Sequence, residues 1–550
     1  MFSKSWRQVK SLPLWCWPLI LLVFSFLTPV FTVLASLVTA NEKDTWSHLV
    51  DTVLLEYVTN TFYLVMGVAV GVTSIGITSA WLVARCDFFG RRFFAWALVL
   101  PLAMPAYIIA YTYTGLLDFS GPLQSFLRDT FDWSYGDYYF PEIKSLGGAI
   151  CMMSLVLYPY VYLLARTAFA NQSASLFEAG QLAGLNARQR FFSISLPLAR
   201  PTIVVGLSLA LMETLADYGT VQYFGVNVFS TGIFRTWFGL GDGLAASQLS
   251  SLLLVVVLFL LGLEQFSRRK AKYVQQGGRV LRAVKLSFVE QILALLFCSV
   301  VIMLGFLLPF IQLAYWTIVE AEQVFDATFW QLTLNSLKLA SITALLAVML
   351  SLAFAYMQRF TRPNRFTASL VFLAGLGYAL PGTIIAVGVM LPFSKLDHFI
   401  HEQAAHFGIE TGLIFSGSLV MLVFAYLIRF LAVSLGNINT AMDNITPHID
   451  EAAKTLGEKT SGIIWRVHLP LLKTSLLSSG LLVFVDTLKE LPATMALRPF
   501  NFNTLAVRSF ELANDEQLAN AAPAVITIVL VGLIPVIWLN ASMHSNSKTQ

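Results

Sequence analysis

Two matched pairs of carboxylates are the residues of this 550-residue chain with the clearest capacity for chemistry. Glu213 and Asp217 stand four apart, and so do Asp486 and Glu490. On a helix that spacing sets both side chains on one face. Carboxylate oxygens are the ligands that hard cations prefer, so each pair could line a cation path. The same four residues could equally pair with Lys489, Arg235, Arg498 or Arg508 and hold a gate together. Phenols at Tyr107, Tyr111, Tyr113 and Tyr218 would add further oxygen donors. A separate group, His398, His401, Glu402 and His406, misses the H-E-x-x-H zinc pattern by one residue and has no counterpart elsewhere, so it reads as a solvated amphipathic loop.

The elements that must position these groups are membrane helices. Hydrophobic residues make up 57% of the chain, charged residues only 12%, and the mean hydropathy is +0.71. A soluble protein of this length lacks the buried volume for so much apolar surface, so the chain reads as an all-α polytopic membrane protein. Apolar runs long enough to cross ~30 Å of hydrocarbon predict twelve spans. These are 14–38, 62–84, 94–117, 147–169, 202–223, 245–264, 289–318, 335–357, 367–391, 411–433, 475–497 and 521–541. The first follows Lys4, Arg7 and Lys10 and is too long for a signal h-region, so it is expected to stay as an anchor. Counting from Pro201 or Thr474, Glu213 and Asp486 fall ~18 Å along their helix and Asp217 and Glu490 ~24 Å. Ionisable groups at such depth usually line a pathway. The four cysteines, Cys16, Cys86, Cys151 and Cys298, have no paired spacing and read as packing residues.

Charge sets the expected orientation. Arg85, Arg91, Arg92, Arg188, Arg190, Arg200, the run Arg268-Arg269-Lys270-Ala271-Lys272, and Arg359, Arg362 and Arg365 all fall on one side of the twelve-span topology. That side is then cytoplasmic, with both termini inside. The chain also repeats itself. Residues 1–270 and 286–550 read as two halves of six spans joined by a basic linker at 271–285. Asn60-Thr61 is answered by Asn335-Ser336, Leu102-Ala103-Met104-Pro105 by Tyr378-Ala379-Leu380-Pro381, and Thr231 and Arg235 by Thr504 and Arg508. Six spans per half make the repeats parallel, with a pathway expected between them.

The most specific repeat is polar. Glu178-Ala179-Gly180-Gln181-Leu182-Ala183-Gly184 recurs as Glu451-Ala452-Ala453-Lys454-Thr455-Leu456-Gly457, and Pro197 and Pro470 each follow the Glu by nineteen residues. Both copies lie between the fourth and fifth span of a half, within 175–200 and 446–473, and therefore face the cytoplasm. Ser175 to Glu178 reads as a capping box, Thr446 with Pro447 as a second kind of N-terminus, and Gly184 and Gly457 as helix stops at positive φ. Pro197 and Pro470 are expected to end the next segment before the chain re-enters the membrane. Two such loops would offer equivalent docking surfaces to two copies of a soluble partner.

This E-A-A-x3-G-x12-P pattern resembles the signature of permease subunits of bacterial ABC importers, with Gly180 in place of the second Ala. The resemblance covers both halves and implies a fused permease of the type I importer kind. It implies docking of a separate cytoplasmic ATPase, as a homodimer, on Glu178, Ala179, Gly180, Gly184 and Pro197 and on Glu451, Ala452, Ala453, Gly457 and Pro470. No G-x4-G-K-[ST] phosphate loop occurs in the chain, so ATP and Mg belong to that partner, and no cofactor or catalytic residue is expected here. Met104 to Tyr111, Asp486 to Thr494 and Leu497 to Phe502 further resemble the ferric-iron group of fused permeases. That implies Fe(III) delivered by a periplasmic iron-binding protein, with 118–142 and 320–326 as candidate docking segments. Glu213, Asp217, Asp486 and Glu490 then become candidate transient Fe(III) contacts, with Tyr107, Tyr111 and Tyr218 beside them. An importer of an organic solute such as thiamine, a polyamine or a phosphonate shares the architecture. A secondary transporter would have no use for two docking loops, and nothing points to nucleic acid. The implied location is the bacterial inner membrane.

Overall fold

The computed structural model describes residues 13–39, 44–134, 136–269, 284–320, 326–361 and 365–546. Lys4, Arg7, Lys10, Arg362, most of the basic linker and most of the 320–326 segment lie outside these described residues. What is described is almost wholly helical. Twelve helices matter to the argument: α1 (Trp17–Ser36), α2 (Leu54–Arg85), α3 (Leu146–Ala170), α4 (Ala174–Leu182), α5 (Leu196–Ala216), α6 (Gly219–Tyr223), α7 (Ala327–Phe360), α8 (Gly382–Ala405), α9 (Leu419–Asp443), α10 (Pro447–Thr455), α11 (Leu469–Leu488) and α12 (Pro492–Leu497). Among the described residues eleven helices are long and apolar enough to cross a membrane, or twelve if one pair bent by 92° is counted as a single span.

That bent pair, Arg91–Ala103 with Ala106–Phe131, corrects the expectation of a straight span over 94–117. Pro105 disfavours the helical region for the residue before it, and Met104 is extended at φ −108°, ψ 115°. The second half breaks the same way. A 3-10 turn, Leu376–Ala379, leads to Leu380 at φ −83°, ψ 126°, then to Pro381 and α8, so 367–391 is not one helix. The fifth and eleventh spans also end short of 223 and 497: α5 stops at Ala216 and α11 at Leu488, and a separate short helix follows each.

Pro197 and Pro470 do not stop a helix, contrary to the sequence reading. Each follows a π segment, Phe191–Ser195 or Ile463–His468, inside a continuous helical run. The N–H of Leu196 reaches back to Phe191 and that of Leu469 to Ile464, five residues rather than four. The wider turn leaves room for a ring that has no N–H to donate. A third π segment, Met303–Leu307, precedes Leu308-Pro309 in the same relation.

Two compact units emerge. One gathers residues within 1–42, 236–251 and 326–508, the other residues within 43–235, 252–325 and 509–550. In the second of these, α2, α3 and α5 pack on one another as a core trio, and the helix Leu308–Val319 packs against Leu518–Asn546. In the first, α7, α9 and α11 form the matching trio, and α1 lies along α8. Gly388 permits that last approach, since a Cβ there would stand 2.6 Å from the Pro29 backbone.

The repeated Asn-Thr and Asn-Ser dipeptides carry out the same task in each unit. Asn60 Nδ2 donates to the Asn227 carbonyl at 2.9 Å, and Asn335 Nδ2 to the Asn503 carbonyl at 3.4 Å. Thr61 accepts the Phe229 N–H, and Ser336 accepts the Leu505 N–H. Both pairs pin a buried connection whose backbone groups would otherwise lack partners in an apolar setting.

Candidate functional site

The two Glu-Ala helices, α4 and α10, close with one geometry. Gly184 sits at φ +79° and Gly457 at φ +88°, where a Cβ would be strained. Past each glycine the chain turns back: Leu185 N–H donates to the Gly180 carbonyl at 3.0 Å, and Glu458 N–H to the Ala453 carbonyl at 3.1 Å. With Gly184 N–H on Gln181 and Gly457 N–H on Lys454, both ends are Schellman motifs. The N-termini differ from each other and, in one copy, from expectation. Ser173 rather than Ser175 caps α4, its side chain accepting the Ser175 N–H. Thr446 stands at the α10 cap with Pro447 behind it, as expected, though its side chain makes no cap bond.

Each loop shows a like set of outward side chains. Glu178, Ala179, Glu451 and Ala452 are exposed, whereas Gly180 and Ala453 face inward. A Cβ at Gly180 would meet the free end of the Ile194 side chain, Cδ1 at 2.7 Å, and the matching position carries one as Ala453. Apolar groups project beside the acids: Leu182 is 91% exposed, Leu456 85%, Phe192 56% and Trp465 71%. Phe192 and Trp465 occupy matching positions 273 apart, and the sequence reading overlooked them. Exposed apolar groups gathered on one loop are the kind of surface that a protein partner or lipid covers.

Beneath the loops the chemistry diverges. Under α10, the Arg359 guanidinium meets Asp450 in a two-pronged pair, each contact 2.8 Å, and His468 Nε2 lies 2.8 Å from Asp450 Oδ1. Partial burial works to raise the Asp450 pKa, and the bonds from Arg359 and His468 outweigh it, so the carboxyl ends below its ordinary value. Under α4, Arg85 lies over the Phe177 ring, 4.8 Å from its centroid. Gln172 and Ser195 there bond each other at 2.8 and 3.0 Å.

The carboxylates of the fifth and eleventh spans sit where the helices break. Asp217 follows the last residue of α5 and accepts the N–H of Thr220 at 2.9 Å and its hydroxyl at 3.0 Å, so it caps α6. Glu490 accepts the N–H of Ala493 and of Thr494, both at 2.9 Å, and caps α12. A buried Arg429 from the middle of α9 stands 3.2 Å from the same Glu490 carboxylate. Arg429 was absent from the partners expected from sequence; a lone arginine in an apolar span was the signal for it. Asp486 pairs with Lys489 at 2.9 Å, as one of the two readings anticipated. Glu213 is half-buried on α5. Glu213 and Asp217 belong to one compact unit, and Asp486 and Glu490 to the other.

The tyrosines join an aromatic series in the unit of Asp217. Tyr107 lies 6.4 Å from Tyr111 and 6.5 Å from Phe510 between ring centroids, and Tyr218 stacks on Phe234 at 4.0 Å and tilts against Phe510 at 5.9 Å. Tyr113 points away and donates to the Leu304 carbonyl. Phe510 comes from the far end of the sequence, so no local pattern could have placed it here. The 118–142 segment is folded: Trp133 stacks between Phe131 and Tyr138, and Asp118, Gln124, Tyr138, Tyr139, Glu142 and Lys144 line a cavity of about 500 Å³. Among the described residues no group of three or more His, Cys, Asp or Glu is arranged to hold a metal ion, the histidines at 398, 401 and 406 included.

Comparison with known proteins follows the same lines. Residues 73–272 match the family described as binding-protein-dependent transport system inner membrane component. The chain is similar to the Fe(3+)-transport system permease protein FbpB 2 of Haemophilus influenzae, 27% identical over 492 residues, covering 88% of this chain and 90% of that protein. The putative ferric transport system permease protein FbpB 1 of the same organism is 23% identical over 512 residues, covering 87% of this chain and 77% of its own. A shorter likeness, 30% over 154 residues, links 28% of the chain to 64% of the molybdenum transport system permease protein ModB of Escherichia coli.

Proposed function

We propose that this chain, a binding-protein-dependent permease that crosses the inner membrane many times, carries ferric iron inward as the fused membrane subunit of an ATP-driven importer. The observation that carries the reading is the pair of Schellman-ended Glu-Ala helices 273 residues apart. One docking surface per half matches two copies of one ATPase, and the chain's long likeness to ferric permeases favours iron over an organic solute. In this reading both termini are cytoplasmic and α4 and α10 seat the ATPase pair. ATP-driven closure pushes both helices, and the spans they lead into swing the pathway between outward and inward access.

A periplasmic binding protein would hand Fe(III) over at the outer face, where the folded 118–142 segment offers a partner surface. Glu213, Asp217, Asp486 and Glu490 are proposed as pathway or gate residues, with Tyr107, Tyr111 and Tyr218 supplying phenol oxygens. Fe(III) is substrate here and not a resident metal. Asp217 and Glu490 already accept helix N–H groups, so their first contribution is to hold a break in the helix open, as ion-handling membrane proteins do at interrupted spans. The test is uptake of radiolabelled Fe(III) and of thiamine by cells lacking this chain, with and without an intact copy. Iron uptake lost and restored with the copy supports the reading. Iron uptake unchanged, in a strain with no other iron importer, moves the substrate to an organic solute.

A further inference from the structure

The joint beneath each Glu-Ala helix occupies matching positions but is built from different chemistry. The offset of 273 takes Phe177 to Asp450, Gln172 to Ile445 and Ser195 to His468, while Arg85 and Arg359 close the matching helices α2 and α7. In the second joint, Arg359 Nη1 also donates to the carbonyls of Met442 at 3.0 Å and Ile445 at 2.9 Å. His468 is fully buried and stacks on Tyr356 with centroids 5.7 Å apart. One guanidinium–carboxylate pair therefore fastens the end of α7, the end of α9, the first turn of α10 and the π segment that feeds α11. In the first joint Arg85 meets a ring face, and the side chain of Gln172 bonds Ser195 rather than a charged group. A two-pronged Arg–carboxylate pair fixes direction and distance, whereas a cation over a ring tolerates sliding.

We infer that the second docking helix is a stiff lever and the first a compliant one, with Arg359, Asp450 and His468 as positioning residues that tie the motion of α10 to α7, α9 and α11. The inference rests on the importer reading above. A fused chain can hold such a difference, because its two loops are separate stretches of sequence. A homodimeric permease could not encode it. The two ATPase copies, even if identical, would then push against unequal loads.

The full chain in lipid nanodiscs with its ATPase bound is the material for the test. Amide exchange should be about tenfold slower in α10 than in α4. Equal rates, or faster exchange in α10, would overturn the lever. Solute carried per ATP hydrolysed gives a second readout. Asp450→Asn should lower that ratio about tenfold with hydrolysis retained, and Phe177→Leu should leave it within about twofold. His468→Gln keeps a donor toward Asp450 and should preserve most of the coupling that His468→Ala loses. Equal losses from D450N and F177L, or none from D450N, would overturn it as well. A chain that recruits no ATPase sinks the importer reading itself. Equal exchange with an active ATPase bound sinks only the lever.

Discussion

Arg429 and Glu490 form a buried pair, 3.2 Å apart, between the middle of α9 and the break that follows α11. The carboxylate is shared, since it also accepts the Ala493 and Thr494 N–H groups. The matching site of the other unit has Val156 in place of the arginine, and Asp217 caps α6 through hydrogen bonds from Thr220 and Val221. Removing one member of a buried pair strands the other, at about 3–5 kcal/mol. Arg429→Met should therefore destabilise the protein strongly. Arg429→Met combined with Glu490→Gln should recover much of the loss, because glutamine can still accept one helix N–H. Thermal unfolding of the detergent-purified variants reads both. A double variant as unstable as R429M would show that the arginine has another task.

Glu178→Ala with Glu451→Ala should abolish uptake while leaving the protein inserted and folded, since both side chains are exposed. Valine at Gly184 or Gly457 should act more bluntly. A β-branched residue at positive φ costs at least ~1–2 kcal/mol and unwinds the Schellman end. Co-purification with the ATPase, measured beside uptake, separates the effects. Normal association together with normal transport in the Glu variants would refute the docking role.

Tyr107→Phe and Tyr111→Phe keep the aromatic series and remove only the oxygens. If phenols help pass Fe(III), the double variant should lose about tenfold or more in iron uptake, the scale of one to two lost ligand contacts. ATPase stimulation by the loaded binding protein should persist. Uptake at the wild-type rate would leave the rings a packing role alone.

The Asp450 latch gives a pH signature with a definite sign. Its pKa in the folded protein lies below the ordinary 3.8, so the stabilisation is fully present above about pH 4 and is lost as pH falls through the lower folded value. Amide exchange of α10 should therefore stay flat from pH 8 to 5 after correction for intrinsic rates, then rise under more acid conditions. A rise already complete at pH 6 would refute the assignment to Asp450.

Much of the organisation was legible in the residues. Twelve apolar runs, the matched Asn60 and Asn335, and the positive φ of both Gly184 and Gly457 follow from composition, repetition and the scarcity of conformations open to a turn. What escaped were features decided by a single residue against its surroundings. Pro105 and Pro381 break apolar runs that hydropathy alone joins. The π segments neutralise Pro197 and Pro470, and a turn of five residues leaves no mark on periodicity over so short a stretch. Asp217 and Glu490 read as pathway ligands or gate ion pairs, because the short helices they cap, α6 and α12, are not separated from the spans by hydropathy. Arg429 and Asp450 carry partners from distant segments, so type and spacing could mark them as unusual without naming whom they meet.

The composition of the two compact units has a consequence for how the gene could have arisen or be cut. The unit that holds most of the second half also holds α1, and the unit that holds most of the first half takes the helices that open and close the second. Neither half, translated alone, contains the whole of either unit. Separately made halves would be complementing fragments that must trade helices in the bilayer before either is complete. The covalent tie between them spares the cell that search, since a tethered partner meets at an effective concentration of about millimolar. A chain severed in the linker and expressed as two polypeptides should thus assemble only when both are made together, and each alone should be cleared by membrane proteolysis.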